Sequence, residues 1–436
     1  MSNLQNQERM SRYHWIVVIL ASLGWLFDCM DQRLFVLARE AAVKDLLGGT
    51  VDPALVKTYI GYATTSMILG WATGGIIIGM YSDRYGRVRA LTITLLLYSI
   101  FTGLSGLAHG WVDFVLYRFI AGIGIGGMFG SATTLVAESI PGRFRAPALG
   151  ALQTLAAIGN VMGSMISLVI PPSSAHGLFG FEGWRSLFFI GIIPALIVVP
   201  MMRLLREPEV WLSLRENRAR GIAGTEAGSV TEMFRHPKWR KHALVGLGLG
   251  VAGMIGLWGI GFFSPELISE ALKGESQSKI DSVRSWGTAL QDIGSFLGMA
   301  SFTFVATFLS RRLAFLCSFI LCFITTVFVF SNLNSAGDAM WMLPLMGFAQ
   351  LSLFAGYSIY FPELFPTRLR GTGVGFCYNT VRYLAAPAPL LLGYLSVHLS
   401  FRSAACIMAG IYILGAIALI WAPETKGKDL PEEEPA

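Results

Sequence analysis

Charged side chains are scarce in this chain. Asp, Glu, Lys and Arg make up 14% of its 436 residues, while 54% are hydrophobic. Soluble domains carry about 25% charged residues, so the composition excludes an ordinary soluble enzyme and an intrinsically disordered chain. Histidine is also sparse. His14, His109, His176, His236, His242 and His398 all fall at segment ends or in loops, which gives no support to a histidine proton relay or a metal site. The five cysteines (Cys29, Cys317, Cys322, Cys377, Cys406) sit in apolar segments without a CxxC pair. Neither a disulfide framework nor a zinc site is expected, and they read as small buried hydrophobes. No N-x-S/T sequon occurs, and no nucleophile–base or metal constellation marks an enzyme. The expectation is no catalysis and no cofactor.

What remains is apolar length. Runs of about 20 apolar residues can span a bilayer, and twelve are present: 15–38, 58–80, 90–108, 112–137, 147–170, 184–205, 242–264, 286–309, 313–331, 339–361, 373–395 and 403–422. The first polar residues run into segment 1 without a small-residue cleavage site, so segment 1 reads as an anchor and not a removed signal peptide. The net charge is +6, but its distribution matters more than its size. With both ends of the chain on one side, the segments of that side hold 22 of the 33 Lys and Arg residues, the opposite loops hold 7, and 4 (Arg33, Arg118, Arg185, Arg382) lie within helices. A threefold excess places both termini in the cytoplasm and explains the basic balance without nucleic acid.

The two halves repeat. Ala137-Glu138-Ser139-Ile140-Pro141-Gly142-Arg143-Phe144-Arg145 answers Pro362-Glu363-Leu364-Phe365-Pro366-Thr367-Arg368-Leu369-Arg370. Arg185-Ser186 answers Arg402-Ser403, and Pro208-Glu209 answers Pro423-Glu424. The expected organisation is therefore all-α: a six-helix half over 1–205, a cytoplasmic loop over 206–241, and a second six-helix half with a short tail over 242–436. Parallel repeats of this kind place a substrate site at their interface near the bilayer midplane.

These residues resemble the major facilitator superfamily over essentially the whole chain. Gly79-Met80-Tyr81-Ser82-Asp83-Arg84-Tyr85-Gly86-Arg87-Val88-Arg89 is similar to the family's GxxxDRxGRxx loop. Arg118 with Gly122, Gly124 and Gly126, Pro362-Glu363 with Pro366, Arg368, Arg370 and Gly371, and Pro423-Glu424-Thr425-Lys426-Gly427 match further family patterns. Gly24 to Asp31 resembles the metabolite and organic-acid proton symporters, including niacin- and aromatic-acid-type carriers. The chain's end motif and Gln153 resemble the sugar porters, but segment 7 lacks their QQxSGxN pattern. Segment 5 lacks the proline of the drug antiporters' GPxxGG motif. The glycine run Gly122–Gly130 has no strand before it, so it reads as close helix packing and not as a dinucleotide loop.

Acidic residues inside a membrane helix cost about 2.5–3.5 kcal/mol each on insertion scales. Asp28 and Asp31 lie three residues apart, about 60° on one helix face, and Arg118 enters segment 4 at a depth that reaches Asp31. In similar symporters such an acid and arginine couple protonation to conformation; a purely structural buried pair is the alternative. Arg33, near the far end of segment 1, reads equally as snorkelling. Arg382, beside Asn379 and Tyr378, lies near the midplane, and its forked donors match a carboxylate. It is read as the anchor of an anionic substrate, or else as a partner of Asp292 or of backbone carbonyls. Asp292, next to Gln291, is a second protonation site or that partner. Gln153, Asn160, Gln350, Tyr357 and Tyr360 are substrate-orienting or interhelical groups, and Trp258 stacks on a ring or packs. By resemblance the loop is a gate: Gly79, Asp83, Arg84, Gly86 and Arg87, with Glu138 and Arg143, act on one side. Glu363, Arg368 and Arg370 answer from the other. Only Arg311-Arg312 survives of a second loop motif, so a lopsided gate is expected.

The resemblance implies a monomeric, proton-coupled symporter of a small, anionic organic acid, working by alternating access in a bacterial inner membrane. A sugar or polyol carrier is the alternative substrate class. A membrane receptor or sensor is the alternative of another kind, disfavoured because about 14 residues flank the helices at each end.

Overall fold

Apolar backbone can lie in lipid only if every N–H and C=O is satisfied within the segment, and an α-helix does this. The computed structural model describes residues 9–48, 53–222, 227–385, 388, 391–392, 395 and 399–431. Among the described residues eleven helices are long and apolar enough to cross a membrane. They are α1 (Arg12–Leu46), α2 (Pro53–Tyr85), α3 (Arg87–Ser105), α4 (Trp111–Ser139), α5 (Gly142–Val169), α6 (Gly183–Leu204), α7 (Pro237–Ala271), α8 (Gln277–Phe308), α9 (Arg311–Asn332), α10 (Ala336–Glu363) and α12 (Phe401–Ala418). The remaining helix, α11, begins at Arg370 and is continuous through Ala385. Much of its expected remainder to 395, together with His398, lies outside the described residues. The architecture is twelve helices in two six-helix repeats. Two short helices, Glu209–Ala219 and Val230–Arg235, lie between the halves.

The helices overrun the apolar runs because their ends carry their own caps. α1 starts at Arg12, where Ser11 Oγ accepts from His14 N–H and His14 Nδ1 accepts from Ser11 N–H, each at 3.2 Å. α7 starts at Pro237 and not at residue 242, since proline at the first helical position loses no internal hydrogen bond. This moves His242 from a helix end into the second turn, where its Nδ1 lies 2.7 Å from the Leu364 carbonyl of α10.

Within each half, α2 packs along α4 and, as its repeat equivalent, α8 along α10. Between halves, α2 packs on α11 and α5 on α8. The α2–α11 crossing is close enough that a Cβ at Gly79 would sit 2.5 Å from the Gly371 carbonyl oxygen, which leaves hydrogen as the one side chain that fits.

The repeat holds in side-chain chemistry as well as in helix order. Arg185 donates to the Gly106 and Ala108 carbonyls at 3.0 and 2.8 Å, past the end of α3. Arg402 donates to the Leu333 carbonyl at 2.7 Å, past the end of α9. Carboxylates cap the starts of the same two helices. Glu207 accepts from the N–H groups of Arg87 (2.6 Å), Val88 (3.1 Å) and Arg89 (3.2 Å). Glu424 accepts from those of Arg311 (3.1 Å) and Arg312 (3.2 Å) and from the Ser310 hydroxyl. The residue answering Glu424 is thus Glu207, on the other side of Pro208 from the expected Glu209. A helix start selects a carboxylate by reach, not by its order relative to proline.

Burial raises the pKa of the Glu424 carboxyl, but the Ser310 hydroxyl and the N–H groups of Lys426, Arg311 and Arg312 outweigh it and leave it below the ordinary value of 4.5. A depressed folded-state pKa stabilises at neutral pH, and that contribution is lost as pH falls below the unfolded value. The Glu424→Gln protein should therefore melt lower than wild type at pH 7, with the gap closing as pH drops below 4.5. Thermal melts across a pH series check this, and parallel curves would exclude the cap as a stabilising element.

Candidate functional site

The end of the bundle that carries the basic loops is closed by buried charge. Arg87, at the start of α3, is fully buried. Its Nε and Nη2 grip the two oxygens of Glu138, at the end of α4, at 2.8 Å each. Its Nη1 donates to the Ser82 carbonyl at 2.8 Å and lies 3.0 Å from Asp83. Three contacts then cross to the second half. Glu138 accepts from Arg370 Nη1 at 2.5 Å. Arg87 Nη2 donates to the Thr367 carbonyl at 2.6 Å. Asp83 accepts from the N–H groups of Gly371 (2.9 Å) and Thr372 (2.8 Å) and from the Thr372 hydroxyl (2.6 Å). Asp83 thereby caps the N-terminus of α11, where the exposed N–H groups and helix dipole favour an anion.

The second half repeats the inner part of this lattice. Arg311 forks Glu363 at 3.2 and 2.9 Å and donates back to the Ala306 carbonyl, as Arg87 does to Glu138 and Ser82. Arg145 and Arg370 each reach back to a carbonyl, of Ala137 at 2.8 Å and Pro362 at 3.0 Å. The position matching Asp83 is Thr307, whose hydroxyl has no partner among the described residues. The expected lopsidedness is therefore confined to contacts between halves. Of the other residues read as gating, Arg84 donates to the Ala227 carbonyl at 3.0 Å, and Gly86 takes φ 124° at the break between α2 and α3. Arg368 lies 3.5 Å from Glu232, while Arg143 is exposed, over the Phe144 ring. Trp211 went unnoticed in the sequence; it is buried in the connecting segment and donates to the Asp83 carbonyl at 2.9 Å. A single tryptophan in a polar loop carries no local signal of this role.

A second polar centre lies inside the first half. Asp28, Asp31 and Arg118 are fully buried. Arg118 Nη2 donates to Asp31 Oδ2 at 3.3 Å and Nη1 to the Thr102 hydroxyl at 3.3 Å, with the guanidinium over Phe35 at 4.6 Å. Asp28 accepts from Gln32 at 3.1 Å, one turn along α1, and not from Arg118. One oxygen of each aspartate and the Nε of Arg118 have no partner among the described residues.

A third centre belongs to α11 and α2. Arg382 is buried and forms no ion pair with a carboxylate among the described residues. Its Nη1 donates to the Tyr378 carbonyl at 2.7 Å and the Asn379 side-chain oxygen at 3.1 Å. Its guanidinium lies 3.8 Å over the Trp71 ring and 4.7 Å from the Tyr378 ring. The Nε of Arg382 and the indole N–H of Trp71 have no partner among the described residues. Tyr378 in turn stacks on Phe129 of α4 at 3.7 Å. Trp71 is absent from the sequence-derived set because α2 offers no cue for which half it faces.

Asp292 does not meet Arg382. It pairs with Arg33 at 2.9 Å across the halves, with both side chains about 30% exposed. Arg33 lies on the opposite face of α1 from Asp31, the face packed on α5, where a Cβ at Gly163 would sit 2.9 Å from the Arg33 Cβ. Gln350 donates to Thr326 at 3.2 Å, Tyr357 to the Leu249 carbonyl at 2.8 Å and Tyr360 to the Pro423 carbonyl at 2.6 Å, all within the second half. Gln153 is buried on α5, its oxygen without a partner among the described residues, and Asn160 and Trp258 are half-buried on α5 and α7.

The profile of the Major Facilitator Superfamily matches residues 21–388. The chain belongs to that superfamily. It is a multi-pass membrane transporter and not an enzyme. A Haemophilus influenzae protein is 30% identical over 430 residues, covering 97% of this chain and 99% of its own. The cis,cis-muconate transport protein of Acinetobacter baylyi is 27% identical, covering 96% of this chain and 97% of its own. Among solved structures, the proton:xylose symporter XylE superposes with a TM-score of 0.79 at 19% identity, over 96% of this chain and 98% of that one. At that identity the superposition speaks to the fold alone.

Replacing Glu138 by Gln leaves Arg370 buried without a carboxylate and Arg87 with Asp83 alone, a loss of about 3–5 kcal/mol for a broken buried pair. Spin labels at Arg89 and Arg312, exposed at the starts of α3 and α9, should report a longer distance in Glu138→Gln and Asp83→Asn than in the parent. An unchanged distance distribution in both would show that these carboxylates do not hold the basic end closed.

Proposed function

We propose that this transporter carries a small organic acid anion together with protons, by alternating access. The observation that carries the reading is Arg382, a guanidinium buried in the bundle with aromatic faces on two sides and no carboxylate within ion-pair distance among the described residues. A desolvated cation of this kind is costly unless an anion compensates it. Its free donors match a substrate carboxylate, and the rings of Trp71 and Tyr378 suit an unsaturated or aromatic body. The Acinetobacter baylyi relative, named for a dicarboxylate, supports this class over the sugar or polyol alternative.

Asp31 and Arg118 are the proposed coupling pair, with Asp28 beside them. Protonating Asp31 removes one charge of the pair and changes which conformation is favoured. Carrying the proton with an anion also lowers the net charge that crosses the bilayer. The Asp83, Glu138 and Arg87 cluster is the proposed gate, on the cytoplasmic side by the charge distribution of the loops. The two halves, either side of the 206–241 connection, rock about Arg382 in a bacterial inner membrane, and a monomer contains all the parts.

Reconstituted protein with an imposed proton gradient tests this. Uptake of cis,cis-muconate or benzoate should exceed that of xylose. Arg382→Ala should weaken carboxylate binding by at least about 30-fold, the lower end for truncating a buried charge partner, and Arg382→Lys should recover only part of it. Asp31→Asn should abolish proton-driven accumulation while leaving exchange of substrate across the membrane. Intact carboxylate affinity in Arg382→Ala, or intact accumulation in Asp31→Asn, would overturn the respective assignment.

A further inference from the structure

At the basic end, on the surface that faces lipid, α7 and α12 diverge and leave an open groove of about 460 Å³. Its α7 wall is Arg240, Lys241, Leu244 and Val245. Residues i, i+1, i+4 and i+5 share one helix face, so two cations stand one turn above two apolar side chains. Its other wall is Leu414, Ile417 and Ala418, one face of α12, with Trp421 just past the helix end. The helices close together at the deep end, where a Cβ at Gly415 would lie 2.6 Å from the Ala252 Cβ. Trp421, 55% exposed, stands at the rim, the depth that tryptophan favours in a bilayer.

Some exposed cations elsewhere on the molecule are compensated locally. Lys44, Arg220 and Lys279 each pair with a carboxylate one turn away, Glu40, Glu216 and Glu275. Arg240 and Lys241 are exposed, and neither takes part in an ion pair among the described residues. No acidic side chain lines the groove. A second surface groove at the opposite end, lined by Lys273, Glu275, Lys279 and Asn334, has mixed charge and the Lys279–Glu275 pair within it, so it favours no ion of one sign.

We propose that the α7–α12 groove binds one anionic glycerophospholipid of the leaflet at the basic end. The phosphate lies between Arg240 and Lys241, and an acyl chain follows Leu244, Val245, Leu414 and Ile417 toward the closure at Gly415. The occupant is set by the combination: two uncompensated cations at headgroup depth select an anion, and an apolar floor facing the bilayer selects one that carries a hydrocarbon chain. A basic residue near an anionic membrane surface is worth about fivefold in binding, so the pair is worth about 25-fold.

Native mass spectrometry of the full-length protein, titrated in detergent with phosphatidylglycerol or with phosphatidylcholine of the same acyl chains, reads this directly. The expected result is one retained phosphatidylglycerol, bound about 25-fold more tightly than phosphatidylcholine. The Arg240→Gln/Lys241→Gln protein should lose that preference and bind both lipids as wild type binds phosphatidylcholine. Leu414→Trp, which fills the apolar floor and keeps both cations, should lose retention of phosphatidylglycerol. Thermal melts in lipid-free detergent identify any misfolded variant; the single substitutions Arg240→Gln and Lys241→Gln, at about fivefold each, then stand in for the double. Equal affinity for the two lipids in wild type, or an unchanged preference in the cation variants, would overturn the proposal. Competition by soluble glycerophosphate as strong as by the lipid would also overturn it, since the site would then be one for a free anion.

Discussion

The arrangement turns on one carboxylate, Glu138, held between the buried guanidinium groups of Arg87 and Arg370. None of these three charges can sit in the interior alone, because an unpaired buried ion costs several kcal/mol even after relaxation. They become tolerable together, and Arg370 belongs to the other half of the molecule. The closure of the basic end is therefore close to all-or-none. Partial separation exposes charge to an apolar surrounding before water can enter, so intermediate geometries are penalised and two discrete arrangements are favoured. Asp83 adds to this from α2, since its two oxygens satisfy N–H groups at the start of α11 that would otherwise be orphaned.

Repetition and asymmetry divide the labour. The Arg87–Glu138 and Arg311–Glu363 forks have the same geometry, down to a carbonyl five residues back from each arginine. Each lies within one half and fixes the helix ends of that half as a rigid unit. Contacts that pass from one half to the other arise mainly from the first loop, because the second has Thr307 where the first has Asp83. The proposed parting and rejoining of the halves gains from this arrangement. The rigid parts are duplicated, while the contacts to be broken are gathered at one place.

The polar groups deeper in the bundle follow the same division. Asp31 and Arg118 lie within the first half, so their pairing survives any movement between halves. Arg382 belongs to the second half but packs its guanidinium on Trp71 of the first, and Arg33 crosses from α1 to Asp292 of α8. Centres within one half suit proton exchange, and centres between halves suit a bound solute or a contact that registers separation.

Much of this was legible in the chain itself. Twelve apolar runs, the excess of basic residues on alternate loops and the repeated Glu-x-x-Pro-x-Arg-x-Arg pattern determine the helix count, the repeat and the family, since a helix is what apolar backbone must form in lipid and loop charge decides orientation. The Asp31–Arg118 pair followed from helical rise and depth alone. The structure decided what depends on how helices rotate and cross. Asp292 found Arg33 and not Arg382, because the long Arg33 side chain passes α5 and reaches α8. Trp71 met Arg382 because α2 and α11 cross closely at glycines. Glu207 replaced Glu209 because a helix start accepts whichever carboxylate reaches it. Periodicity along one helix is a local property and can be read from sequence; the azimuth of one helix against another is set by the packing of every side chain between them, and only the folded molecule fixes it.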